Sequence, residues 1–289
     1  MNLRLLIITQ ISCIVVSGIL IKVGVNNGYS LERVYLIRGI FCLGSCLFYF
    51  IPNKDKVGLP SFKIQTLRLF LLGSGGYLIL LSYQYIEPSS VELLKRLNIP
   101  ILAIFGPLLG FYNSKKESFA YWLIFVAICI TAFTMNAQDS SFAGYSLALS
   151  GSLLFGLSYP LFKMSTSKDH NFYTISVAAL GSIAFGLIAL YAKKVDITFS
   201  KEEIILSSGL GVMQFFMYYL GAHLYKCINI KYVEAPSFVS IIILLIVESF
   251  YLNKSIDIIY ISSILIFGTL IFSIPVFFKR GFLNGHRQT

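Results

Sequence analysis

The stretch Val91-Glu92-Leu93-Leu94-Lys95-Arg96-Leu97-Asn98-Ile99-Pro100 lies inside an apolar run that continues to Tyr112. Two adjacent cations at the middle of a segment long enough to span a bilayer cost at least ~2.5–3.5 kcal/mol each on insertion scales. Such residues face a water-filled cavity or a partner charge, so the run reads as a membrane helix that lines a solute site. Glu92 precedes Lys95 by three positions and Arg96 by four, within reach of either cation across one helical turn. In one reading the cluster is structural and holds this helix against its neighbours. In the other, Glu92 neutralises one cation and the second takes an anionic group of a solute. Arginine suits a carboxylate or phosphate because its planar fork donates two parallel hydrogen bonds. Pro100 and Pro107 release backbone carbonyls and let the helix bend.

The rest of the chain has the same membrane character. Of 289 residues, 56% are hydrophobic and 12% charged, against about 25% charged in soluble domains. Ten apolar segments approach the ~20 residues needed to cross a hydrocarbon core. They run Leu3–Val23, Val34–Ile51, Leu67–Ile86, Val91–Tyr112, Phe119–Met135, Phe142–Phe162, Phe172–Ala192, Ile204–Tyr225, Val233–Leu252 and Ile258–Phe278. The intervals are short and carry turn residues such as Asn26-Asn27-Gly28 and Asn253-Lys254-Ser255. The first segment stays in the mature chain: its charged region is only Arg4, and no small-residue cleavage site follows it.

The net charge of +10 reads as a topology signal rather than a nucleic-acid-binding face. The flanks on the side of both termini carry thirteen cations: Arg4, Lys54, Lys56, Lys63, Arg68, Lys115, Lys116, Lys168, Lys226, Lys231, Lys279, Arg280 and Arg287. The other side carries five, Arg33, Lys193, Lys194, Lys201 and Lys254. The positive-inside rule then predicts a cytoplasmic (inner) membrane protein with both termini in the cytoplasm.

The chain reads as a duplicated five-helix unit, residues 1–137 and 138–289, forming one membrane domain. At a shift of 141, Ser17 falls on Ser158 and Lys22 on Lys163, so "SGILIKV" matches "SYPLFKM". At a shift of 140, Tyr85 falls on Tyr225 and Asn113 on Asn253. An odd number of helices per unit inverts the second copy. The fold class predicted is an all-α membrane protein, ten transmembrane helices arranged as two inverted five-helix repeats, the arrangement by which transporters achieve alternating access. The counterparts of Lys95 and Arg96 at the 140 shift are Ala235 and Pro236, so the charge lies on the first half.

Other polar groups stand within these segments. Arg38 is an intramembrane cation in the second, structural or solute-facing. Lys22 and Lys163 stand near segment ends, where snorkelling to the headgroups is the default. The third segment carries Tyr77, Tyr83 and Gln84 after a Gly73-Ser74-Gly75-Gly76 run, and the eighth carries Gln214, Tyr218 and His223. Glycines let helices approach closely, which is a packing role. The tyrosines and amides suit a cavity lining. Gln10 and Asn98 are buried polar groups of the same kind. His223 is a possible proton carrier or a hydrogen-bonded helix residue. Glu248 is an intramembrane carboxylate that pairs with Lys22 or Arg38, or titrates. Cys13, Cys42, Cys46, Cys129 and Cys227 include no CxxC pair and read as small hydrophobes. No catalytic motif, metal-ligand spacing or phosphate loop is visible, and no cofactor is expected.

The ten segments, the five-plus-five organisation and three local stretches resemble the drug/metabolite transporter superfamily, EamA type. The stretches are the first segment ending on Lys22, "ERVYLIRGIF" with Arg38 in the arginine position, and "SSVELLKRLNIPILAIFGPLLGFY" with its small-residue start, central proline and aromatic end. Asn113 and Asn253 stand where the family often has a glutamate, so that residue's role is not carried over. The resemblance implies a transporter moving a small organic metabolite, an amino acid or derivative with a carboxylate or other anionic group. It implies a central cavity lined by the third, fourth, eighth and ninth helices, with the first and sixth contributing. The partners expected are the solute and the lipid bilayer, with no nucleic acid, in a monomer or homodimer. The competing readings are an integral-membrane enzyme acting on a lipid or polyprenyl group, and a passive channel. Trans-stimulated uptake separates a carrier from both.

Overall fold

The structure is a computed structural model that describes residues 3–51, 60–105, 115–134, 142–227, 238–252 and 258–277. Its helices are α1 (Leu3–Asn26), α2 (Leu31–Phe50), α3 (Phe62–Ser82), α4 (Pro88–Lys95), α5 (Asn98–Phe105), α6 (Lys115–Thr134), α7 (Phe142–Lys168), α8 (Asn171–Lys193), α9 (Lys201–Cys227), α10 (Phe238–Leu252) and α11 (Ile258–Phe277). No strand occurs among the described residues. Helices α1, α2, α3, α7, α8 and α9 are each long and apolar enough to cross a membrane, and α6, α10 and α11 contain shorter apolar stretches. Large apolar side chains point outward, with Tyr191 89%, Phe48 85% and Phe250 81% exposed. A surface of that kind is stable against lipid and not against water. The chain is an all-helical membrane protein.

The fourth apolar segment is two helices rather than one. Pro100 has no amide hydrogen, and its ring conflicts with the carbonyl four residues back, that of Arg96. The Arg96 carbonyl instead accepts from Ile99 N at 3.2 Å. Tight three-residue bonds, Arg96 N to Leu93 O and Leu97 N to Leu94 O, close α4 before the break. Lys95 and Arg96 are therefore at the end of a half-helix, not the middle of a continuous one. Pro107 lies outside the described residues.

Helix packing comes in matched pairs. α3 packs on α7, and α9 on α1. α2 packs on α9, and α8 on α3. α4 meets α7, and α10 meets α1, while α2 and α8 pack on each other. Each contact has a counterpart in which the first five segments and the second five exchange places. Glycine permits the closest approaches. A Cβ on Gly75 would stand 2.9 Å from the Gly151 carbonyl oxygen, and one on Gly151 would stand 2.8 Å from that of Gly75, so α3 and α7 touch backbone to backbone.

Arg68, counted among the flanking cations from sequence, is fully buried in α3. It donates to Gln65 Oε1 at 2.9 Å, Ser165 Oγ at 3.1 Å and the Thr174 carbonyl at 3.1 Å, and its guanidinium lies 4.8 Å from the centre of the Phe162 ring. Gln65 Nε2 in turn donates to Asp169 Oδ2 at 2.6 Å, and the other oxygen of Asp169 accepts from Ser61. This network fastens α3 to α7 and α8. The charge split keeps its sign without Arg68.

A second clamp joins the start of α2 to α8 and α9. Arg33 bonds Glu203 at 2.9 Å, and Glu32 accepts from Lys193 at 2.5 Å and from the Tyr77 hydroxyl at 3.0 Å. Cys42 and Cys46 are fully buried and pack beside Phe50, Ile175, Ala179 and Phe215, as small hydrophobes do.

Candidate functional site

A cavity of about 140 Å³ lies between α1, α2, α3, α4, α5, α7 and α9. Its polar wall is built on the α4–α5 break. Glu92, 1% exposed, holds both cations: Lys95 Nζ donates to Oε1, and Arg96 Nη2 donates to Oε2 at 3.0 Å. The Tyr83 hydroxyl donates to the same Oε1 at 3.3 Å. The expectation that Glu92 takes one cation and leaves the other is corrected, because the carboxylate sits between the two. The lysine side chain retains 25% exposure, toward the cavity it lines.

Arg38 enters from α2. Its Nε donates to Gln214 Oε1 at 2.6 Å, and its guanidinium lies 5.7 Å from the centre of the Tyr35 ring. Gln214 is held in turn by donating to Ser182 Oγ at 3.3 Å. No carboxylate pairs with Arg38 among the described residues, so three cations meet one carboxylate around the cavity. Positive charge dominates this wall, which attracts an anionic group.

Gln10, Ser17, Tyr83, Asn98 and Tyr218 also line the cavity. Four expected lining residues do not. Tyr77 is turned to Glu32 and lies 5.7 Å, centroid to centroid, from Tyr35. Gln84 is exposed because α3 ends at Ser82 and the chain turns there. Gln214 holds Arg38 from behind the wall. His223 packs edge-on against Tyr219, centroids 4.7 Å apart.

The remaining intramembrane charges have local partners. Lys22 does not reach for the headgroups: it bonds Glu87 at 3.4 Å and the Tyr83 carbonyl at 3.4 Å. Glu248 pairs with neither Lys22 nor Arg38. It accepts the Ser89 amide at 2.7 Å and the Ser89 hydroxyl at 2.6 Å. The side chain of Lys163 lies outside the described residues.

Sequence reading missed Ile14, Ile21, Phe155, Tyr159, Phe162 and Met217, which supply the apolar and aromatic wall. A signal for them exists. Ile14, Ser17 and Ile21 of α1 recur as Phe155, Ser158 and Phe162 of α7, each 141 positions on. Gly76 and Leu80 of α3 recur at the same spacing as Met217 and Gly221 of α9. Positions from α2 and α4 have no such counterpart, so the two sides of the cavity share a frame and differ in charge. Within the described residues the lining also departs from expectation by including α2 and no residue of α10.

No protein-family pattern and no curated protein matches the chain. Among solved structures, one described as "Crystal structure of protein" superposes with a TM-score of 0.71 over 96% of this chain and 97% of its own, at 8% identity. The fold is thus shared along nearly its whole length with a protein of known structure, and that likeness is one of fold alone.

Proposed function

We propose that the chain is a ten-helix solute carrier of the cytoplasmic membrane, similar to EamA-type members of the drug/metabolite transporter superfamily. It binds a small anionic organic metabolite, an amino acid or derivative, between two inverted five-helix halves and releases it by alternating access. The observation that carries the reading is the cavity whose lining, among the described residues, holds three cations, Arg38, Lys95 and Arg96, and one carboxylate, Glu92. A carboxylate or phosphate of the solute would be recognised by these groups, and Tyr83, Tyr159 and Tyr218 with Phe155 and Phe162 suit an apolar or ring portion.

Two observations support the inverted repeat. Several helix contacts are matched under exchange of the halves, and five cavity positions on α1 and α3 recur at one spacing on α7 and α9. The α4–α5 break fits the same reading, since carriers place discontinuous helices at the solute site. The cation excess on the flanks of the terminal side puts both termini in the cytoplasm.

The test is a thermal-shift screen of metabolites grouped by formal charge, run on wild type and on Arg38→Ala. Anionic compounds are expected to raise the melting temperature of wild type and to lose most of that effect in the variant. Stabilisation by cationic compounds alone, or an anion effect unchanged in Arg38→Ala, contradicts the proposal.

A further inference from the structure

Glu248 lies on α10 and reaches the first turn of α4, where its two carboxylate oxygens take the amide and the hydroxyl of Ser89. The first amides of a helix have no partner within it, and a carboxylate there also gains from the helix dipole. Lys22 of α1 and Glu87 before α4 are the charged groups facing Glu248, Tyr83 is within electrostatic reach, and Lys22 is bonded to Glu87. α11, which also packs on α10, contributes no Asp, Glu, Lys, Arg or His. One helical turn leads from Ser89 to Glu92 and a second to Lys95. α4 is therefore held at its start by a residue from the second half of the chain, and it ends at the break beside the cavity.

We propose that Glu248 is a proton-operated positioning residue. Ionised, it ties α4 to α10. Protonated, it holds the start of α4 more weakly, and the cations at the end of α4 gain freedom to move. An ionised carboxylate accepts both Ser89 bonds at full strength. Once a proton from water occupies the oxygen facing the Ser89 hydroxyl, that bond reverses, with the serine oxygen accepting, and both bonds lose the negative charge that strengthened them and that favours the helix start. The significance of this movement for solute release rests on the carrier reading, but the tie itself concerns only α4 and α10.

The experiment uses full-length protein in detergent with its native cysteines changed to alanine and a single Ser158→Cys reporter on the cavity wall. Reporter modification by a charged methanethiosulfonate and melting temperature are followed across the pH range in which carboxylates titrate, each rate corrected for thiolate fraction. Glu248→Gln keeps the shape of the side chain without its charge. At high pH the variant is expected to melt several degrees lower and to react several-fold faster than its parent. As pH falls, the difference between parent and variant should shrink toward zero, the titration of the other carboxylates being common to both. Ser89→Ala removes one partner while leaving Glu248 in place, so convergence should begin at higher pH, and this substitution carries the test should Glu248→Gln not fold. A parent-to-variant difference that is the same at every pH overturns the proposal by making Glu248 a fixed strut, and no difference at any pH overturns it too. Neither readout needs a solute, so a protein that transports nothing yet shows the convergence refutes the carrier reading and not the tie.

Discussion

Glu92 is the residue on which the site depends, because Lys95, Arg96 and Tyr83 all converge on its two oxygens. Removing one cation leaves the carboxylate a partner. Removing the carboxylate takes the ion-pair partner from Lys95 and one partner from Arg96, and breaking a buried pair in this way costs roughly 3–5 kcal/mol. Glu92→Gln is therefore expected to lower the melting temperature in detergent more than Lys95→Ala, whose side chain already reaches the cavity. Equal losses, or a larger loss for Lys95→Ala, would place the stability elsewhere. Glu92, Lys95 and Arg96 were legible from sequence because charges inside an apolar run are rare and have few explanations. Arg68 was not, since a cation near the start of a segment looks like a headgroup anchor. Only the packing of α7 and α8 over it makes it a buried hub. Gln84 was misplaced because the apolar run continues past Ser82 while the helix does not.

At the scale of helices, composition predicted where apolar segments lie but not how they meet. The break after Lys95 was foreshadowed by Pro100, whose ring opposes the Arg96 carbonyl, and the sequence reading reached only as far as a bend. The α3–α7 contact was visible as a glycine run whose partner was unknown, because nothing local identifies Gly151 as the residue opposite Gly75. A methyl group at either position meets the other's carbonyl oxygen. Gly151→Ala and Gly75→Ala are each expected to cost about 1–3 kcal/mol by overpacking. Their double variant should lose less than the two single losses together, since both separate the same pair of helices. Melting temperatures of the four proteins decide this, and full additivity would mean the helices do not share that contact.

At the scale of the molecule, the proposed repeat of a five-helix unit is supported by the helix contacts that match under exchange of the halves and by five cavity positions that recur 141 residues on. Few residues would carry such a repeat in sequence, because lipid-facing positions need only be apolar. Impermeant thiol labelling of cysteines placed at Lys116 and Gly285 is expected from the cytoplasmic side, and at Asp139 and Asn253 from the opposite side. Cytoplasmic labelling at Asn253 would remove the inversion of the second half.

The central claim, a carrier with an anion site between its halves, is tested most directly by counterflow in proteoliposomes with the anionic metabolite that most raises the melting temperature. Wild type should take up labelled compound faster when unlabelled compound is loaded inside, and both Arg38→Ala and Arg96→Ala should abolish this while still inserting into the membrane. Uptake that is indifferent to internal solute, or counterflow at wild-type rate in both variants, would contradict it.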